Sequence, residues 1–423
     1  MKQILLYAVL AVALVSQLAD AAPVNTNQTT SPSAKKFVVH EWGTFTSVLG
    51  SDGERLGGLH HEEEQLPSFI VGRDLLKEYT FIPGGTGHCR PSKGIPVCDD
   101  SPGLSGFQVH AENVTQKMET PVIYFYSEEK KQVSVNVSFP KGIISQYFPA
   151  PTYFGPSLGQ ITGLFGGYTR FDAEITNEKM PLPPVESGNV YAPAREVSAA
   201  NYVRSGTQNE KFIFYRGLGD FTTNLNITSA IGQGVTLKNN GQNISSVILL
   251  DVTESTGAVK ALGSLAQGTS SNLNDKDLTY FRDRMKKPRA EFETEAQQVI
   301  VQALIDSGLY PDEALSMFNT WKTSYLRSKG LRALYVLTRA ETDALLPLDV
   351  YPRPSETVRT LVGRIEILHA EEEQQMLSNL RTGKPIFTNE DRFAEPKLRR
   401  LLKLTNDSAE QTKIYTQING LNN

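Results

Sequence analysis

Residues 37–46 read FVVHEWGTFT, and this stretch decides the fold class. It is rich in β-branched and aromatic residues, which are typical of strands. Successive side chains of a strand point to opposite faces. Glu41 is therefore expected to share an apolar, core-facing side with Phe37, and His40 to share the other side with Trp42.

Further segments repeat this strand character along the N-terminal part of the chain. They are residues 122–126, 132–139, 211–216, 221–227 and 247–252. As a set they are rich in β-branched and aromatic residues with period-2 alternation, clearest over 132–139, and long Gly- and Pro-rich pieces separate some of them. Many short strands with such connections favour an antiparallel sandwich. Residues 36–275 are therefore predicted to form a β-sandwich-like domain.

After about residue 275 the apolar residues recur at helical spacing instead. The expected elements are helices over 288–308 and 311–328, strands over 331–337 and 358–368, and helices over 370–380 and 392–404. The fold class expected for the chain is α+β. It consists of the sandwich-like domain, a mixed helix and strand region over 276–405, and a polar tail over 406–423.

The first residues carry the pattern of a signal peptide. Lys2 supplies a positive charge, Ile4 to Val15 form an apolar run of 12 residues, and Ala19-Asp20-Ala21 offers a cleavage site. A membrane span needs about 20 apolar residues, so this run is too short to be one. Residues 1–22 are predicted to be removed, residues 23–35 to form a flexible leader, and the protein to be secreted. A periplasmic location is the alternative if the source is bacterial.

The charge of the chain is nearly balanced. The formal net charge is −4, with 42 Lys and Arg against 46 Asp and Glu. Nucleic-acid and anionic-membrane binding both need a basic surface, so this balance argues against them. No later stretch is apolar enough to predict a membrane span. The expected partner is an extracellular ligand or matrix component of unknown identity.

Two cysteines, Cys89 and Cys98, lie nine positions apart in a Gly- and Pro-rich stretch. In an oxidising compartment, an even number of cysteines at short range predicts one disulfide that closes a surface loop. The alternative is a pair of metal ligands. The C-x-x-C spacing typical of such pairs is missing here.

Six N-x-S/T sequons predict N-glycosylation of a secreted chain: Asn27, Asn113, Asn136, Asn226, Asn243 and Asn406. Asn136 and Asn226 lie at the polar positions of two alternating segments, so both are expected to face solvent. In a bacterial periplasmic protein the same sequons would carry no meaning, and that alternative stays open.

Two clusters contain side chains that could bind a metal. Glu41 is expected on an apolar face, where a carboxylate must be ion-paired, metal-bound or raised in pKa. Residues 60–64 read HHEEE, and imidazole and carboxylate are ligands for zinc or copper. The candidate ligands of a divalent ion are His40, Glu41, His60, His61 and Glu62. The alternatives are a structural Glu41 with a surface His40, and a solvated acidic turn at 60–64.

Known catalytic motifs are incomplete in this chain. The pairs His40-Glu41 and His61-Glu62 open like the zinc-protease motif, but Thr44 and Gln65 occupy the place of its second histidine. Residues 155–159 match G-x-S-x-G, but the surrounding prolines and glycines favour a turn over a nucleophile elbow. The sequence therefore identifies no complete catalytic set.

Four strings in the chain resemble an uncharacterised family of secreted or periplasmic bacterial proteins that open with an HEWGTFT-like motif. The strings are VHEWGTFT (39–46), METPVIYFY (118–126), FYRGLG (214–219) and LVGRIEIL (361–368). The resemblance touches most of the mature chain, and its opening motif is fairly specific. It implies export and a shared fold, but it implies no reaction.

Two functions are compatible with these features. The sequons, the sandwich character and the missing catalytic motifs favour a non-enzymatic extracellular glycoprotein that binds a ligand or matrix component. The alternative is a secreted metal-dependent hydrolase or oxidoreductase that uses the cluster of His and Glu residues near the N-terminus.

Overall fold

The computed structural model describes residues 36–62, 65–72, 88–92, 95–99, 113–156, 163–387 and 391–421. The predicted signal peptide and leader, the sequon at Asn27 and the serine of the G-x-S-x-G match lie outside these residues. Helices and strands together confirm the α+β class. No helix in the described ranges is both long enough and apolar enough to cross a membrane.

The strands in chain order are β1 (Phe37–Leu49), β2 (Val71–Gly72), β3 (His88–Ser92), β4 (Ile95–Asp99), β5 (Gln116–Ser127), β6 (Lys131–Phe139), β7 (Gly142–Phe148), β8 (Tyr153–Gly155), β9 (Gly167–Thr176), β10 (Tyr202–Ser205), β11 (Gln208–Glu210), β12 (Ile213–Gly219), β13 (Leu225–Ala230), β14 (Gly234–Asn239), β15 (Ile244–Val252), β16 (Thr256–Leu265), β17 (Ser270–Leu273), β18 (Lys287–Pro288), β19 (Gly330–Val336), β20 (Leu348–Tyr351) and β21 (Glu356–Ile367). The helices are α1 (Asp275–Arg284), α2 (Arg289–Asp306), α3 (Pro311–Arg327), α4 (Arg339–Leu345), α5 (Ala370–Thr382), α6 (Ala394–Leu404) and α7 (Ser408–Leu421). A short 3-10 helix covers Ala192–Glu196.

A ten-stranded mixed sheet forms the centre of this part of the chain. Its strand order is β18-β16-β15-β19-β21-β1-β5-β12-β7-β2. Strand β1 pairs in parallel with β21 and antiparallel with β5. A six-stranded sheet (β11-β10-β9-β6-β20, with β8 on β9), a three-stranded sheet (β13-β14-β17) and the hairpin β3-β4 accompany it.

The central sheet is covered on both faces. On one face, apolar residues of β1 such as Val39 and Phe45 pack in one core with residues of the smaller sheets, so the sandwich-like packing expected from the strand pattern is present. The other face is covered by helices. Trp42 packs with α2 and α3 at one end, and Val48 packs with α5, α6 and α7 at the other. All thirteen residues of β1 are buried as a result.

The expected separation at residue 275 does not divide the sheets. Strands β19 and β21 follow that position in the chain, yet they lie between β15 and β1 in the central sheet. Lys36–Asn423 form a single compact unit. Periodicity identifies a strand but not its partner, because strand partners are chosen by tertiary packing. The expected polar tail contains helix α7, which buries Ile414 and Ile418.

The structure also changes two local expectations, the start of the strand predicted over 221–227 and the exposure of Asn226. The strand expected over 221–227 begins at Leu225. Asn226 is only partly exposed, and its side-chain amide donates a hydrogen bond of 2.9 Å to the carbonyl of Gly53.

The backbone register of the β3-β4 hairpin places Cys89 opposite Cys98. Opposite Cα atoms in such a pair are about 4.5–5.5 Å apart, which a disulfide can bridge. The disulfide itself stays a prediction.

Glu41 lies on the apolar face, as alternation predicted, and is satisfied there by an ion pair. Its carboxylate accepts a hydrogen bond of 2.6 Å from Arg359 Nε and another from the hydroxyl of Tyr215. Both charged side chains are almost fully buried. Burial opposes the charged form of Arg359, but the charge of Glu41 outweighs it and raises the pKa of the guanidinium. This pair fixes β1 to β21 within the core.

Removal of the cation from this pair should destabilise the protein. In Arg359→Met the Glu41 carboxylate stays buried without a positive partner, so the free energy of unfolding should fall by about 3–5 kcal/mol. The double variant Glu41→Gln/Arg359→Met should recover most of that loss. Urea unfolding followed by tryptophan fluorescence measures both variants.

The control for this experiment is Arg339→Met. Arg339 pairs with the same acidic neighbour, Asp343, but both side chains are about half exposed. Exposed pairs contribute about 0–1 kcal/mol, so this variant should unfold close to the parent protein. Equal losses in Arg339→Met and Arg359→Met would contradict the role assigned to Glu41.

Candidate functional site

Polar residues cross the helix-covered face of the central sheet between its two apolar clusters. We call them the polar belt. They come from five adjacent strands: Thr44, Thr46, Lys117, Glu119, Arg216, Arg332, Arg364 and Glu366. Each of them is at most 6% exposed. Charges buried to this degree must be paired or hydrogen-bonded, so the belt marks a place where side-chain chemistry is concentrated.

The four strings that suggested a family resemblance meet at this belt. They lie on β1, β5, β12 and β21. These four strands are neighbours in the central sheet, in the order β21-β1-β5-β12. Thr46 Oγ1 donates to Glu119 Oε2 over 2.8 Å, and Thr44 Oγ1 lies 2.6 Å from the hydroxyl of Tyr325 on α3. Glu119 also accepts a hydrogen bond from Arg392, which precedes α6. The strings therefore share a location as well as a strand pattern.

A backbone irregularity on β5 orients this part of the belt. Thr120 has φ +47°, the one positive φ at a non-glycine residue among the described residues. It lies where the register between β1 and β5 shifts, and Gly43 faces the extra residue. A Cβ on Gly43 would lie 2.9 Å from Pro121 Cα, so only glycine fits beneath the bulge. Because a bulge reverses which side chains share a face, Lys117 and Glu119 join the belt.

Arg332, Arg364 and Glu366 attach the belt to the end of α3. Glu366 Oε1 lies 2.9 Å from Arg332 Nε and 2.7 Å from Arg364 Nε. Arg332 also donates to the backbone carbonyls of Tyr325 and Ser328. These carbonyls form the negative end of the helix, which favours a cation. The two arginines therefore hold α3 in place.

A cleft of about 840 Å³ opens between the end of α3 and the start of α6. It is lined by His61, Glu62, Glu254, Arg327, Ser328, Lys329, Asp391, Arg392, Phe393, Ala394, Glu395, Lys397 and Leu421. Phe393 connects this cleft to the belt, because the guanidinium carbons of Arg364 and Arg392 lie 5.3 and 5.0 Å from its ring centre. A charged, solvent-open cleft above buried charges suits a polar ligand.

Glu62 is held at the cleft by two cations of the belt. Its Oε2 lies 3.0 Å from Lys117 Nζ and 2.8 Å from Arg216 Nη1. Desolvation in the cleft would raise the pKa of Glu62, but the charges of Lys117 and Arg216 lower it to about 2. Burial lowers the pKa of Lys117, and Glu62 acts against that effect. Glu62 is therefore ionised at neutral pH.

His60, His61 and Glu395 form a compact cluster beside Glu62. One nitrogen of each imidazole and one carboxylate oxygen lie within 4.8 Å of one another. His61 Nε2 is 3.0 Å and His60 Nε2 is 3.7 Å from Glu395 Oε2. Burial would raise the pKa of Glu395, but the hydrogen bond to His61 and the neighbouring charges outweigh it and lower the pKa. Arg399 holds the other carboxylate oxygen at 2.7 Å.

Gly58 allows the histidine segment to approach α6. Its φ is +99°, and a Cβ at this position would lie 2.7 Å from Glu395 Cγ. Any other residue would combine an unfavourable backbone conformation with a clash. The segment is neither strand nor helix at His60 and His61. Its irregular backbone lets two consecutive imidazoles face one carboxylate, with ring centres 4.0 Å apart.

The five candidate ligands do not form one site. His60 and His61 come together, Glu62 lies beside them bound to cations, and Glu41 lies on the opposite face of the sheet with Arg359. The alternative for the candidate ligand His40 was a surface position, but this residue is fully buried and its Nδ1 lies 2.7 Å from Glu313 Oε2. That alternative failed because helix α3 covers the face that the alternation left open.

Glu395 was missed by sequence reasoning. It lies 334 residues after His61. It belongs to helix α6, whose other charged residues form a pattern typical of a solvent-exposed helix face. No spacing rule joins residues so far apart.

No protein-family model matches the chain, and neither does any curated protein.

The conformation of Thr120 has a measurable cost. A β-branched residue with positive φ costs about 1–3 kcal/mol, whereas Asn adopts this conformation more readily. Thr120→Asn should therefore raise the free energy of unfolding by about 1 kcal/mol in urea titrations. Thr120→Val keeps the strain and removes the hydroxyl that accepts a hydrogen bond from Arg216, so it should be less stable than the parent. The reverse order would contradict a strained bulge.

Proposed function

We propose that the protein is an exported metal-dependent hydrolase whose ion is held by His60, His61 and Glu395. The observation that carries the proposal is the convergence of two imidazoles and one carboxylate at the wall of an open cleft. Secretion, the disulfide and N-glycosylation, which follow from the sequence alone, are part of the same proposal.

The distances within the cluster support a zinc-like ion. Ligand atoms bound to zinc at about 2.0–2.1 Å in a tetrahedron lie about 3.4 Å from each other. The separations of 3.0 and 3.7 Å from Glu395 Oε2 to the two imidazoles bracket this value. Two His and one Glu are also a donor set of catalytic zinc sites, which leave one position for water. Arg399 on the second oxygen of Glu395 would orient that ligand.

The cleft supplies the remaining requirements of a hydrolase. An ion in this cluster would lower the pKa of a bound water and polarise a substrate carbonyl or phosphoryl oxygen. His61 is partly exposed and lines the cleft, so a substrate can reach the cluster. His60 and Glu395 are buried, which fixes their positions. This combination of rigid ligands and an accessible side favours catalysis over a purely structural ion.

Elemental analysis tests the metal site. Protein purified without chelator should contain about one zinc per chain, and removal of the zinc should lower the melting temperature because the ion binds the folded state. His60→Ala/His61→Ala and Glu395→Gln should each lose the zinc. They should also lose zinc-dependent hydrolysis of 4-nitrophenyl acetate.

The matched control is Glu371→Gln, which removes a mostly exposed carboxylate from a neighbouring helix. This variant should retain zinc and its melting temperature. The proposal would be contradicted if the parent protein contained no zinc and had the same melting temperature with and without chelator. The non-enzymatic extracellular binding protein suggested by the sequons would then be the better account.

The exposure of the sequons refines the glycosylation proposal. Asn113, Asn243 and Asn406 are exposed, whereas Asn136 and Asn226 are partly buried. A Cβ on Gly53 would lie 3.0 Å from Asn226 Nδ2, the atom that would carry the glycan. A sugar on Asn226 would therefore break the contact of this side chain with Gly53.

Glycan occupancy should follow this difference in exposure. After expression in a eukaryotic host, glycosidase treatment in heavy-oxygen water followed by peptide mass spectrometry should mark Asn243 and Asn406. It should leave Asn226 unmarked, because the folded protein keeps that amide against the backbone of Gly53. Efficient marking of Asn226 with Asn243 unmarked would contradict this assignment.

A further inference from the structure

We infer that Lys117, Arg216 and Arg392 form a binding subsite for the oxyanion group of a substrate, and that Glu62 occupies this subsite in the free protein. The inference deepens the proposed hydrolase by naming its substrate class, so its catalytic meaning rests on that proposal. The binding of an oxyanion does not depend on the metal and can be tested without it.

The cations are part of the core, whereas the anion is not. Lys117 and Arg216 are only 2% and 4% exposed, and they project from adjacent strands of the central sheet. The Glu62 side chain is 41% exposed and belongs to a segment outside any helix or strand. A rigid cationic wall that holds a surface carboxylate has the geometry of a ligand site with an internal occupant.

The charge balance among the described residues favours an anion at this position. The ion pairs within this part of the chain join three cations, Lys117, Arg216 and Arg392, to two carboxylates, Glu62 and Glu119. Glu119 is fixed by Arg392 and by Thr46. Without Glu62, the two cations bound to it would be buried beside one carboxylate already in use, which is energetically costly.

Arg216 retains unused hydrogen-bonding capacity. Its Nη1 donates to Glu62 and its Nη2 to Thr120, over 2.8 and 3.4 Å. Its Nε is buried and has no hydrogen-bond partner among the described residues. A guanidinium presents several donors that match the oxygens of a carboxylate or phosphate. A single oxygen of Glu62 contacts it, so a phosphate or a free carboxylate could satisfy more of its donors.

The subsite lies beside the proposed metal ligands. Lys117 Nζ donates a hydrogen bond of 2.6 Å to the backbone carbonyl of His61 and contacts Glu62 as well. Glu62 and His61 both line the cleft. A substrate whose oxyanion displaces Glu62 would therefore place the neighbouring part of the molecule against His61. The subsite would select anionic substrates and orient them towards the ion.

The test measures binding of inorganic phosphate to chelator-treated, metal-free protein. Calorimetric titration of Glu62→Gln should give a dissociation constant for phosphate at least tenfold below that of the parent protein. Its melting temperature should also rise with phosphate more steeply than that of the parent. Titration with acetate distinguishes the two oxyanions: tighter binding of acetate assigns the subsite to carboxylates, and tighter binding of phosphate assigns it to phosphate esters.

The matched control is Glu54→Gln. Glu54 is similarly exposed and pairs with Lys403 and Arg400, away from the belt. Phosphate binding by this variant should equal that of the parent. Adding Arg216→Met to Glu62→Gln should abolish the gain. If Glu62→Gln is too unstable to purify, Glu62→Asp retracts the carboxylate by one methylene and should show a smaller gain.

Equal oxyanion binding by Glu62→Gln or Glu62→Asp, the control and the parent would overturn the inference. Because the protein is metal-free in every titration, that outcome leaves the zinc analysis untouched. Conversely, a zinc-free protein that still gains phosphate affinity through Glu62→Gln would overturn the hydrolase and retain the subsite.

Discussion

The structure depends on the complete burial of β1. A strand covered by sheets on one face and by helices on the other cannot leave a polar side chain without a partner. Three polar residues of this strand fix distant segments in this way. Glu41 fixes Arg359, His40 fixes Glu313 at the start of α3, and Thr46 fixes Glu119.

The same constraint explains the position of the candidate site. The two sets of helices on one face of the sheet leave a gap between them. The sheet residues beneath that gap are polar, whereas those beneath the helices are apolar. Charged residues at this place cannot contribute much hydrophobic stabilisation, and they require elaborate pairing. We interpret them as retained for chemistry. The cleft, the His60, His61 and Glu395 cluster, and the cations around Glu62 all lie along this gap.

Sequence reasoning found the features that depend on local pattern. Alternation along β1 placed Glu41 on an apolar face, where it had to be ion-paired, metal-bound or raised in pKa, and helical spacing located α2 and α3 to within a few residues. It did not find features that depend on long-range pairing. Nothing near His61 indicates that its partner is Glu395, and nothing near Phe37 indicates that its strand lies beside β21. His40 was misplaced for the same reason, since its burial is caused by a helix 273 residues away.

The parallel pairing of β1 with β21 also bears on how the chain acquires its structure during synthesis. The two strands are joined by contacts between residues 318 positions apart. Non-local pairings of this kind form slowly, and an unpaired strand edge exposes backbone groups to aggregation. A ribosome that has not yet released Glu356–Ile367 has produced β1 with β5 available for one edge and with the partner of the other edge still missing. That open edge therefore stays a site for incorrect pairing until β21 emerges.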